Sequence, residues 1–225
     1  MFITFEGIEG CGKSTQCARL KTLLERDRPE AVLLSREPGG SRLGQHLRTI
    51  LLDPAQTALS SEAELFLYLA DRAQHVSQVI RPALDRGGLV IIDRFSDSTL
   101  AYQGYGRGLD LDALKQANTL AVQGLSPDFT VLIDCPPEIG LARARTRNEE
   151  QLLSEREGRF EAETLDFHHR VRQGFLTLAA HEPERFLILD GEEDPERVFG
   201  ELCRKLGSVL PGFRCGAEQA PSPPL

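Results

Sequence analysis

The sequence predicts an α/β fold of three layers, in which a five-stranded parallel sheet is flanked by helices on both faces. Two patterns carry this prediction. Five short apolar runs are separated by segments whose apolar residues recur at helical spacing, and this alternation is typical of a parallel sheet covered by helices. The runs are apolar almost without interruption, as expected for strands buried on both sides.

The predicted strands are β-rich apolar runs, and charged residues follow the first four of them. In chain order the strands cover Phe2–Phe5, Ala31–Leu34, Leu89–Ile92, Phe129–Ile133 and Phe186–Leu189. In open parallel α/β sheets, ligands bind at the carboxyl ends of the strands. We therefore expect the charged residues that follow the strands to form a binding site at one rim of the sheet.

The predicted helices are recognised by apolar spacing and by the residues at their starts. One follows the first strand, where Leu20, Leu23 and Leu24 give the helical period. The longest is expected to begin with a Ser/Glu capping pattern at Ser61–Glu64, and the last to follow Asp194 as its cap. The remaining boundaries predict helices over Ser60–Asp85, Asp110–Gly124, Pro137–Arg147, Phe160–Ala180 and Pro195–Leu206.

The chain length predicts a single domain over residues 1–208. A chain of 225 residues can bury one generous core, and nothing in the composition requires a second. Residues 209–225 are predicted to form a disordered tail, because the segment from 211 onward has four prolines and little that can be buried.

The charge balance predicts that any anion site is local. The chain has 26 Lys and Arg against 34 Asp and Glu, a formal net charge of -8. This balance argues against broad binding to nucleic acid or to a membrane surface. Five scattered cysteines without a C-x-x-C pair are typical of reduced cytosolic thiols. With no long apolar stretch and no signal-like start, the chain is predicted to be cytoplasmic.

The segment from Gly7 to Ser14 matches the pattern G-x-x-x-x-G-K-[ST] between a predicted strand and a predicted helix. In this pattern the glycines turn backbone N–H groups toward an anion, the lysine supplies a charge, and the hydroxyl can bind Mg²⁺. The sequence therefore predicts a phosphate-binding loop for a nucleotide. Its predicted contact residues are Gly7, Ile8, Glu9, Gly10, Cys11, Gly12, Lys13, Ser14 and Thr15.

Asp93 and Arg94 directly follow the third predicted strand, beside the phosphate loop. A carboxylate there can hold the Mg²⁺ that Ser14 also touches. Arg94 is a cation at the end of a buried strand and needs a partner, which an anionic ligand would provide.

Nucleotide binding alone leaves a GTPase, an ATP-driven motor or chaperone, and a kinase open. The guanine-reading pattern N-K-x-D is absent, since neither Asn118 nor Asn148 is followed by Lys. A kinase whose acceptor is itself a phosphate needs arginines that converge on two mutually repelling anions.

Two sets of arginines meet this need. The rim set, available to an acceptor phosphate or base, is Arg36, Arg48, Arg72 and Arg94. The second set is Arg143, Arg145 and Arg147, with Arg156 and Arg159 further along, in and beyond the polar interval Asn148–Glu157. On a helix, Arg143 and Arg147 share a face while Arg145 points away. The second set predicts a hinged lid that closes over ATP, excludes water and neutralises the transferring phosphoryl group.

Five stretches in order resemble those of a known family. They are Phe5–Gly7 with the phosphate loop, Arg36–Gly40, Leu69–Arg72, Asp93–Phe95 continuing through Ser98–Thr99 to Ala101–Gly104, and the Arg-rich segment leading into Arg159–Glu161. From Phe2 to about Leu206 the chain resembles the bacterial thymidylate kinases. The resemblance implies a P-loop kinase fold with a helical lid over about residues 142–159, and phosphorylation of dTMP to dTDP by ATP with Mg²⁺ in a homodimer.

The resemblance also implies roles for individual residues. Tyr68 would stack on thymine, with Arg72 as the base contact on the same helix face and Thr99 and Gln103 as polar neighbours. Arg94 would hold the acceptor phosphate, with Arg36 and Arg48 nearby. Glu6 would meet the sugar 3′-hydroxyl or the metal side, and Tyr102 would crowd the 2′ position. Arg147 would be the transition-state cation, with Arg143 as the alternative.

Three departures from the family pattern concern Tyr68, Gly158 and the lid. Tyr68 stands where Phe is commoner, Gly158 replaces an Asp often found there, and the lid interval is somewhat long. Two other functions stay open. One is a kinase for another nucleoside monophosphate, such as UMP, CMP or AMP, and the other is a nucleotide-dependent interaction protein without transfer activity.

Overall fold

The computed structural model describes residues 1–26, 32–150 and 158–209. Five strands form one sheet in the order β2-β3-β1-β4-β5, and all four pairings are parallel. The strands are β1 (Phe2–Glu6), β2 (Val32–Arg36), β3 (Leu89–Asp93), β4 (Phe129–Asp134) and β5 (Phe186–Asp190). The predicted α/β fold with a five-stranded parallel sheet is confirmed, and the apolar runs locate every strand to within two residues at its carboxyl end.

Helices connect the strands in the described parts of the chain. They are α1 (Lys13–Glu25), α2 (Arg42–Leu52), α3 (Ser61–His75), α4 (Arg81–Asp85), α5 (Ser96–Thr99), α6 (Leu111–Val122), α7 (Pro137–Glu150), α8 (Leu165–His181) and α9 (Pro195–Val209). Two π-helical segments, Val76–Ile80 and Leu100–Gly106, continue α3 into α4 and extend α5.

The long helix predicted over residues 60–85 is present as α3, a π-helical segment and α4. The π-helical segment ends at Ile80, two residues before Pro82, which cannot donate the hydrogen bond that a regular helix would require there. The capping residue is Ser60, whose hydroxyl accepts from the Ala63 N–H at 3.2 Å, and not Ser61 as predicted. Asp194 does cap α9, as its carboxylate accepts from the Glu196 N–H at 2.9 Å.

The helix predicted from Phe160 begins five residues later, at Leu165. Thr164 ends the preceding turns and caps the helix, because its hydroxyl accepts from the Phe167 N–H at 3.3 Å. Two helical regions, α2 and the stretch from Ser96 to Gly106, were not predicted from the apolar pattern.

The core lies on both faces of the sheet. Successive residues of β1 and β3 alternate between two apolar clusters: Ile3 and Ile91 belong to the larger one, while Phe2 and Val90 belong to the smaller. Because both clusters are covered by helices, the strands are apolar on both faces, which explains their uninterrupted apolar sequence.

The strand order determines where the residues that follow β1 and β3 lie at the edge of the sheet. From β1 the chain first builds β2 and β3 on one side and later β4 and β5 on the other, so the connections from β1 and β3 border a topological switch point. Ligands bind at such a point in open α/β sheets. The phosphate loop follows β1, and Asp93 and Arg94 stand at the end of β3, which brings both to one crevice.

Some sequence predictions fall outside the described residues. The disordered tail was predicted for 209–225, of which only Val209, the end of α9, is described. The predicted lid of about 142–159 is described up to residue 150 and again from 158. Within the described ranges, no helix is long and apolar enough to cross a membrane.

Candidate active site

The phosphate loop is shaped by glycines that no other residue could replace without a shift of backbone. Gly10 has a φ of 67°, and a Cβ atom there would lie 1.9 Å from the carbonyl oxygen of Gly140. A Cβ atom on Gly140 would in turn lie 2.5 Å from the Glu9 carbonyl oxygen. The loop therefore packs directly against α7, the helix that carries the arginines of the predicted lid.

The amino end of α1 is open to an anion. Gly12 precedes the helix with a φ of 101° and provides no side-chain cap, so the first N–H groups of α1 are available to a ligand. The Lys13 ammonium donates to the carbonyl oxygens of Gly7 at 3.1 Å and Ile8 at 2.7 Å. A positive charge and free N–H groups thus meet at the mouth of the loop, where a phosphate would bind.

Ser14 and Asp93 form the pair of oxygen donors that the sequence predicted for a metal. The Ser14 hydroxyl donates to Asp93 Oδ2 at 2.5 Å. A hydroxyl and a carboxylate are ligands that suit Mg²⁺. In the described residues no cluster of three or more His, Cys, Asp or Glu could hold a metal, so a cation here would also need oxygens from a substrate.

Arg94 has a φ of 70°, a left-handed conformation that residues other than glycine seldom adopt. Two hydrogen bonds hold this turn: the Arg94 N–H donates to the Phe5 carbonyl at 2.9 Å, and the Phe95 N–H donates to Glu6 Oε1 at 2.7 Å. The Ser98 hydroxyl donates to the other Glu6 oxygen at 2.6 Å. As a result the Arg94 side chain borders the pocket.

Glu6 is completely buried and does not border the pocket. Burial, together with the Asp97 carboxylate, raises the pKa of Glu6 to about 7. The structure therefore does not bring Glu6 to the place that a sugar or metal contact requires. Its two oxygens already accept hydrogen bonds from Phe95 and Ser98, and they support the turn at Arg94 from below.

Glu9, in the phosphate loop, holds two residues of the opposite wall. Its Oε1 accepts from the Tyr102 hydroxyl at 2.6 Å and from Arg94 Nη2 at 2.9 Å. The Arg94 guanidinium also lies 4.9 Å from the centroid of the Tyr102 ring. Burial acts to raise the pKa of Glu9, but Arg94 and His168 hold that pKa below its usual range, so the carboxylate is ionised.

Arg72 is only 1% exposed although it borders the pocket. Nε donates to Glu37 Oε2 at 2.8 Å and Nη2 to the Phe95 carbonyl at 2.9 Å. Nη1 donates to Thr99 Oγ1 at 2.7 Å and to Asn118 Oδ1 at 2.9 Å. Four of the five guanidinium N–H groups are thus bonded within the protein, which leaves one on Nη2 for a ligand.

Three aromatic rings form the apolar wall of the pocket. Tyr68 and Phe160 have centroids 6.4 Å apart, and Tyr102 meets Phe160 edge-on at 5.3 Å. A planar base can pack against such a wall through its face.

A buried carboxylate, Glu64, connects the residues after the predicted lid to the rest of the site. It accepts from Gln103 Nε2 at 2.7 Å, from Arg107 Nη2 at 3.1 Å and from Arg159 Nη1 at 2.7 Å. Burial acts to raise the pKa of Glu64, but the hydrogen bonds from Arg107 and Gln103 lower it. The Gln103 amide N–H₂ therefore serves Glu64, while Arg159 anchors the segment that leads to Phe160.

The side chains of Arg143 and Arg147 on α7 contact different parts of the protein. Arg147 borders the pocket, with Nη2 3.5 Å from Glu161 Oε1. Arg143 Nη1 instead donates to the Gly191 carbonyl at 2.6 Å, after β5, and Arg143 does not border the pocket. Although Arg143 and Arg147 were predicted to share a helix face, their guanidinium groups do not reach one site, because the two long side chains contact different partners.

Cations are concentrated at the pocket of this acidic protein. Six basic and four acidic side chains border it. The basic ones are Lys13, Arg36, Arg48, Arg72, Arg94 and Arg147, and the acidic ones are Glu9, Glu37, Asp93 and Glu161. With an overall formal charge of -8, this local excess of positive charge fits a site for phosphorylated ligands.

A family model described as thymidylate kinase matches residues 5–202 of the chain. The chain belongs to the thymidylate kinase family. This family membership confirms the predicted activity, the phosphorylation of dTMP to dTDP with ATP as the phosphate donor.

Curated thymidylate kinases and a solved structure agree with this assignment. The chain is 59% identical over 210 residues to the thymidylate kinase of Nitratidesulfovibrio vulgaris, covering 93% of this chain and 97% of the relative. It is 52% identical over 212 residues to that of Maridesulfovibrio salexigens, covering 94% and 97%. The crystal structure of thymidylate kinase from Ehrlichia chaffeensis matches with a TM-score of 0.73 at 34% identity, covering 92% of this chain and 98% of that one. The P-loop kinase fold is therefore confirmed.

Most site residues predicted for a thymidylate kinase border one pocket. They are Glu9, Gly10, Lys13, Ser14, Arg36, Arg48, Tyr68, Arg72, Asp93, Arg94, Thr99, Tyr102, Gln103 and Arg147. Other predicted residues belong to the loop or to the start of α1 without bordering the pocket, namely Gly7, Ile8, Cys11, Gly12 and Thr15. Glu6 and Arg143 lie elsewhere.

The pocket also includes residues for which no role was predicted from the sequence. They are Glu37, Pro38, Leu52, Ser98, Phe160 and Glu161. All except Leu52 lie in the stretches that resemble thymidylate kinases, but their places in the pocket depend on contacts between distant segments. No sequence signal pointed to His168, which is completely buried and faces Glu9.

Proposed function

We propose that dTMP is phosphorylated in this pocket, with ATP at the phosphate loop and dTMP against the arginines and aromatic rings beyond it. One observation supports the assignment. A single pocket is bordered by Lys13 and Ser14, by Arg72 and Tyr68, and by Arg94, so that a donor and an acceptor phosphate can be held together.

On the donor side, Lys13 and the N–H groups at the start of α1 bind the ATP phosphates. Ser14 and Asp93 would hold Mg²⁺, since Mg²⁺ is usually bound by one or two protein oxygens together with substrate phosphates. Mg²⁺ held by these two residues would neutralise charge on the ATP phosphates. Ser14 and Asp93 are already in hydrogen-bond contact, so little rearrangement of their backbone is needed.

On the acceptor side, Arg94 binds the phosphate of dTMP, and Arg36 and Arg48 add positive charge at the rim. Tyr68 stacks on thymine and the remaining N–H of Arg72 reaches the base. Thr99 and Gln103 act mainly through Arg72 and Glu64, to which they are bonded. The Tyr102 ring crowds the 2′ position and so disfavours ribonucleotides, and Glu6 supports the Arg94 turn.

Phosphoryl transfer in this site depends on neutralising the phosphate charges and positioning the two substrates, more than on removing a proton. An oxygen of the acceptor phosphate is already anionic near neutral pH and attacks the γ-phosphorus directly, so no general base is required. Arg147 borders the pocket from α7 and is placed to neutralise charge on the transferring group. Closing the Arg-bearing segment would also exclude water, which favours transfer over hydrolysis.

A homodimer is proposed from exposed apolar side chains on three neighbouring helices. The helices α2 and α6 each pack on α3, and the three helices expose large apolar side chains, which are Leu43, Ile50, Phe66 and Leu120 at 44%, 41%, 65% and 77%. A second copy of the chain would cover these side chains.

A cytoplasmic location is proposed from the state of the thiols. Cys11, Cys17 and Cys135 are free and buried. Free thiols without disulfide partners are typical of proteins in a reducing compartment.

Replacing Arg94 tests the assignment of the acceptor site. Because Arg94→Ala removes charge-assisted hydrogen bonds to the acceptor phosphate, the KM for dTMP should rise by about 10- to 100-fold while the KM for ATP changes little. Steady-state kinetics with each substrate varied in turn measures both constants. The control is Arg197→Ala, since the Arg197 side chain is 77% exposed on α9. An unchanged KM for dTMP in a folded Arg94→Ala protein would place the acceptor phosphate elsewhere.

A further inference from the structure

His168 lies inside α8 with no exposed surface, and it touches both sides of the active site. Its Nε2 is 2.9 Å from the carbonyl oxygen of Phe160, in the segment that follows the lid. Its Nδ1 is 3.4 Å from Oε2 of Glu9 in the phosphate loop. The imidazole ring thus spans the space between these two segments.

The two contacts fix where the protons must be. A carbonyl oxygen can only accept, so Nε2 carries a hydrogen and donates to Phe160. If His168 were neutral, Nδ1 would then carry only a lone pair and would face a carboxylate oxygen. In the described part of the chain, neither Nδ1 nor Glu9 Oε2 has a hydrogen-bond partner, and their 3.4 Å contact is not itself a hydrogen bond. Two buried acceptors facing one another are costly, and one proton between them removes the cost.

Glu9 is the group through which this proton affects substrate binding. Its other oxygen, Oε1, holds Arg94 and Tyr102, which are proposed to contact the phosphate and the sugar of dTMP. The charges around the Glu9 carboxylate are those of Arg94, Lys13 and His168, with Glu161 as the acidic neighbour. A carboxylate fixed at Oε2 by His168 keeps Oε1 directed at Arg94 and Tyr102.

We propose that His168 is a positioning residue that is held as an imidazolium, with Nε2 bonded to the Phe160 carbonyl and Nδ1 bonded to Glu9, and that it thereby orients Arg94 and Tyr102 for dTMP. The consequence for kinetics rests on the proposed role of Arg94 as the acceptor-phosphate contact. The proposed bond between His168 and Glu9 does not rest on that role. The kinetic consequence and the bond can therefore be disproved separately.

Nitrogen NMR of the labelled protein tests the protonation of His168. Both ring nitrogens of His168 should carry a proton at neutral pH, whereas Glu9→Gln should leave Nδ1 unprotonated because the carboxylate is gone. The His168 signals are identified by their loss in His168→Gln. A neutral His168 with an unprotonated Nδ1 in the unmodified protein would overturn the proposal.

Two variants separate the two contacts in the enzyme assay. The amide nitrogen of Asn can occupy the position of Nδ1, so His168→Asn keeps a donor for Glu9. The amide nitrogen of Gln can occupy the position of Nε2, so His168→Gln keeps only the donor for Phe160. We expect His168→Gln to raise the KM for dTMP by about tenfold or more, as for loss of one hydrogen bond to a charged group. His168→Asn should raise the KM for dTMP less, and the KM for ATP should stay unchanged in both variants.

The matched control is His169→Gln on the same helix, since the His169 side chain is 46% exposed and 3.1 Å from Glu138 at the surface. Its kinetic constants should equal those of the unmodified enzyme. A purely structural role for His168 predicts that Asn and Gln lower the melting temperature alike and leave the KM for dTMP unchanged, and that result would overturn the proposal. If Arg94→Ala also leaves this KM unchanged, the acceptor-site assignment has failed, and the NMR result alone then decides the His168–Glu9 bond.

Discussion

At the scale of single residues, Arg94 joins the two halves of the pocket. Its Nη1 donates to the Gly7 carbonyl of the phosphate loop at 2.9 Å, while its guanidinium lies over the Tyr102 ring. The left-handed turn that makes this possible depends on Glu6, which no substrate needs to touch. A buried carboxylate below a strained turn is therefore part of the site even though it does not border the pocket.

Chemical pattern alone could predict which residues with phosphate-binding chemistry meet at the pocket. Lys13, Ser14, Asp93 and Arg94 follow strand ends, and strand ends of a parallel sheet meet at one edge. The family resemblance implied that Glu6 contacts the sugar 3′-hydroxyl or the metal side. Its actual partners come from residues far along the chain, and such pairings cannot be read from one sequence.

Replacing the arginines of α7 separately tests which one stabilises the transition state. Among the α7 arginines, Arg147 is the one that borders the pocket. Arg147→Ala should therefore lower kcat by a factor of about 10³, the effect typical of an arginine that neutralises a transferring phosphoryl group. Arg143→Ala should lower it much less, since Arg143 is bonded to the Gly191 carbonyl. Turnover at saturating ATP and dTMP is the measurement. Near-normal turnover in Arg147→Ala with a large loss in Arg143→Ala would reverse these roles.

At the scale of helices and strands, boundaries followed capping chemistry more closely than apolar spacing. The apolar pattern continues from Phe160 into α8, yet the Thr164 hydroxyl begins the helix at Leu165. A threonine three residues before Phe167 is a signal that capping rules can use. The π-helical segment Leu100–Gly106, which carries Tyr102 and Gln103, had no comparable signal because its course depends on packing against α8.

The exposed face of α2, α3 and α6 yields a prediction about assembly. Phe66 is 65% exposed in the middle of α3, so Phe66→Asp should place a charge in the proposed interface and shift the protein to monomers. Sedimentation velocity measures the result. Leu165→Asp is the control, because Leu165 is 41% exposed on α8. If Phe66→Asp stays dimeric, or if the unmodified protein is a monomer, this face is not the interface.

At the scale of the whole molecule, one edge of the sheet carries the sites proposed for both substrates. Parallel pairing and burial on both faces were predictable from the uninterrupted apolar runs. The order β2-β3-β1-β4-β5 was not, since it depends on which distant strands pair, and this order creates the crevice between the loops after β1 and β3. An acidic chain thus gathers six cations around one pocket, where the triphosphate of ATP and the single phosphate of dTMP could approach each other.

The most direct test of this account is a coupled assay with ATP and dTMP, UMP, CMP or AMP in turn. The geometry of Tyr102, Arg72 and the aromatic wall predicts that dTMP is phosphorylated with the highest kcat/KM, and that Lys13→Ala abolishes most of this activity. A higher kcat/KM for UMP, CMP or AMP would contradict the assignment of the acceptor site. No transfer to any monophosphate would indicate a nucleotide-dependent interaction protein and contradict the catalytic account as a whole.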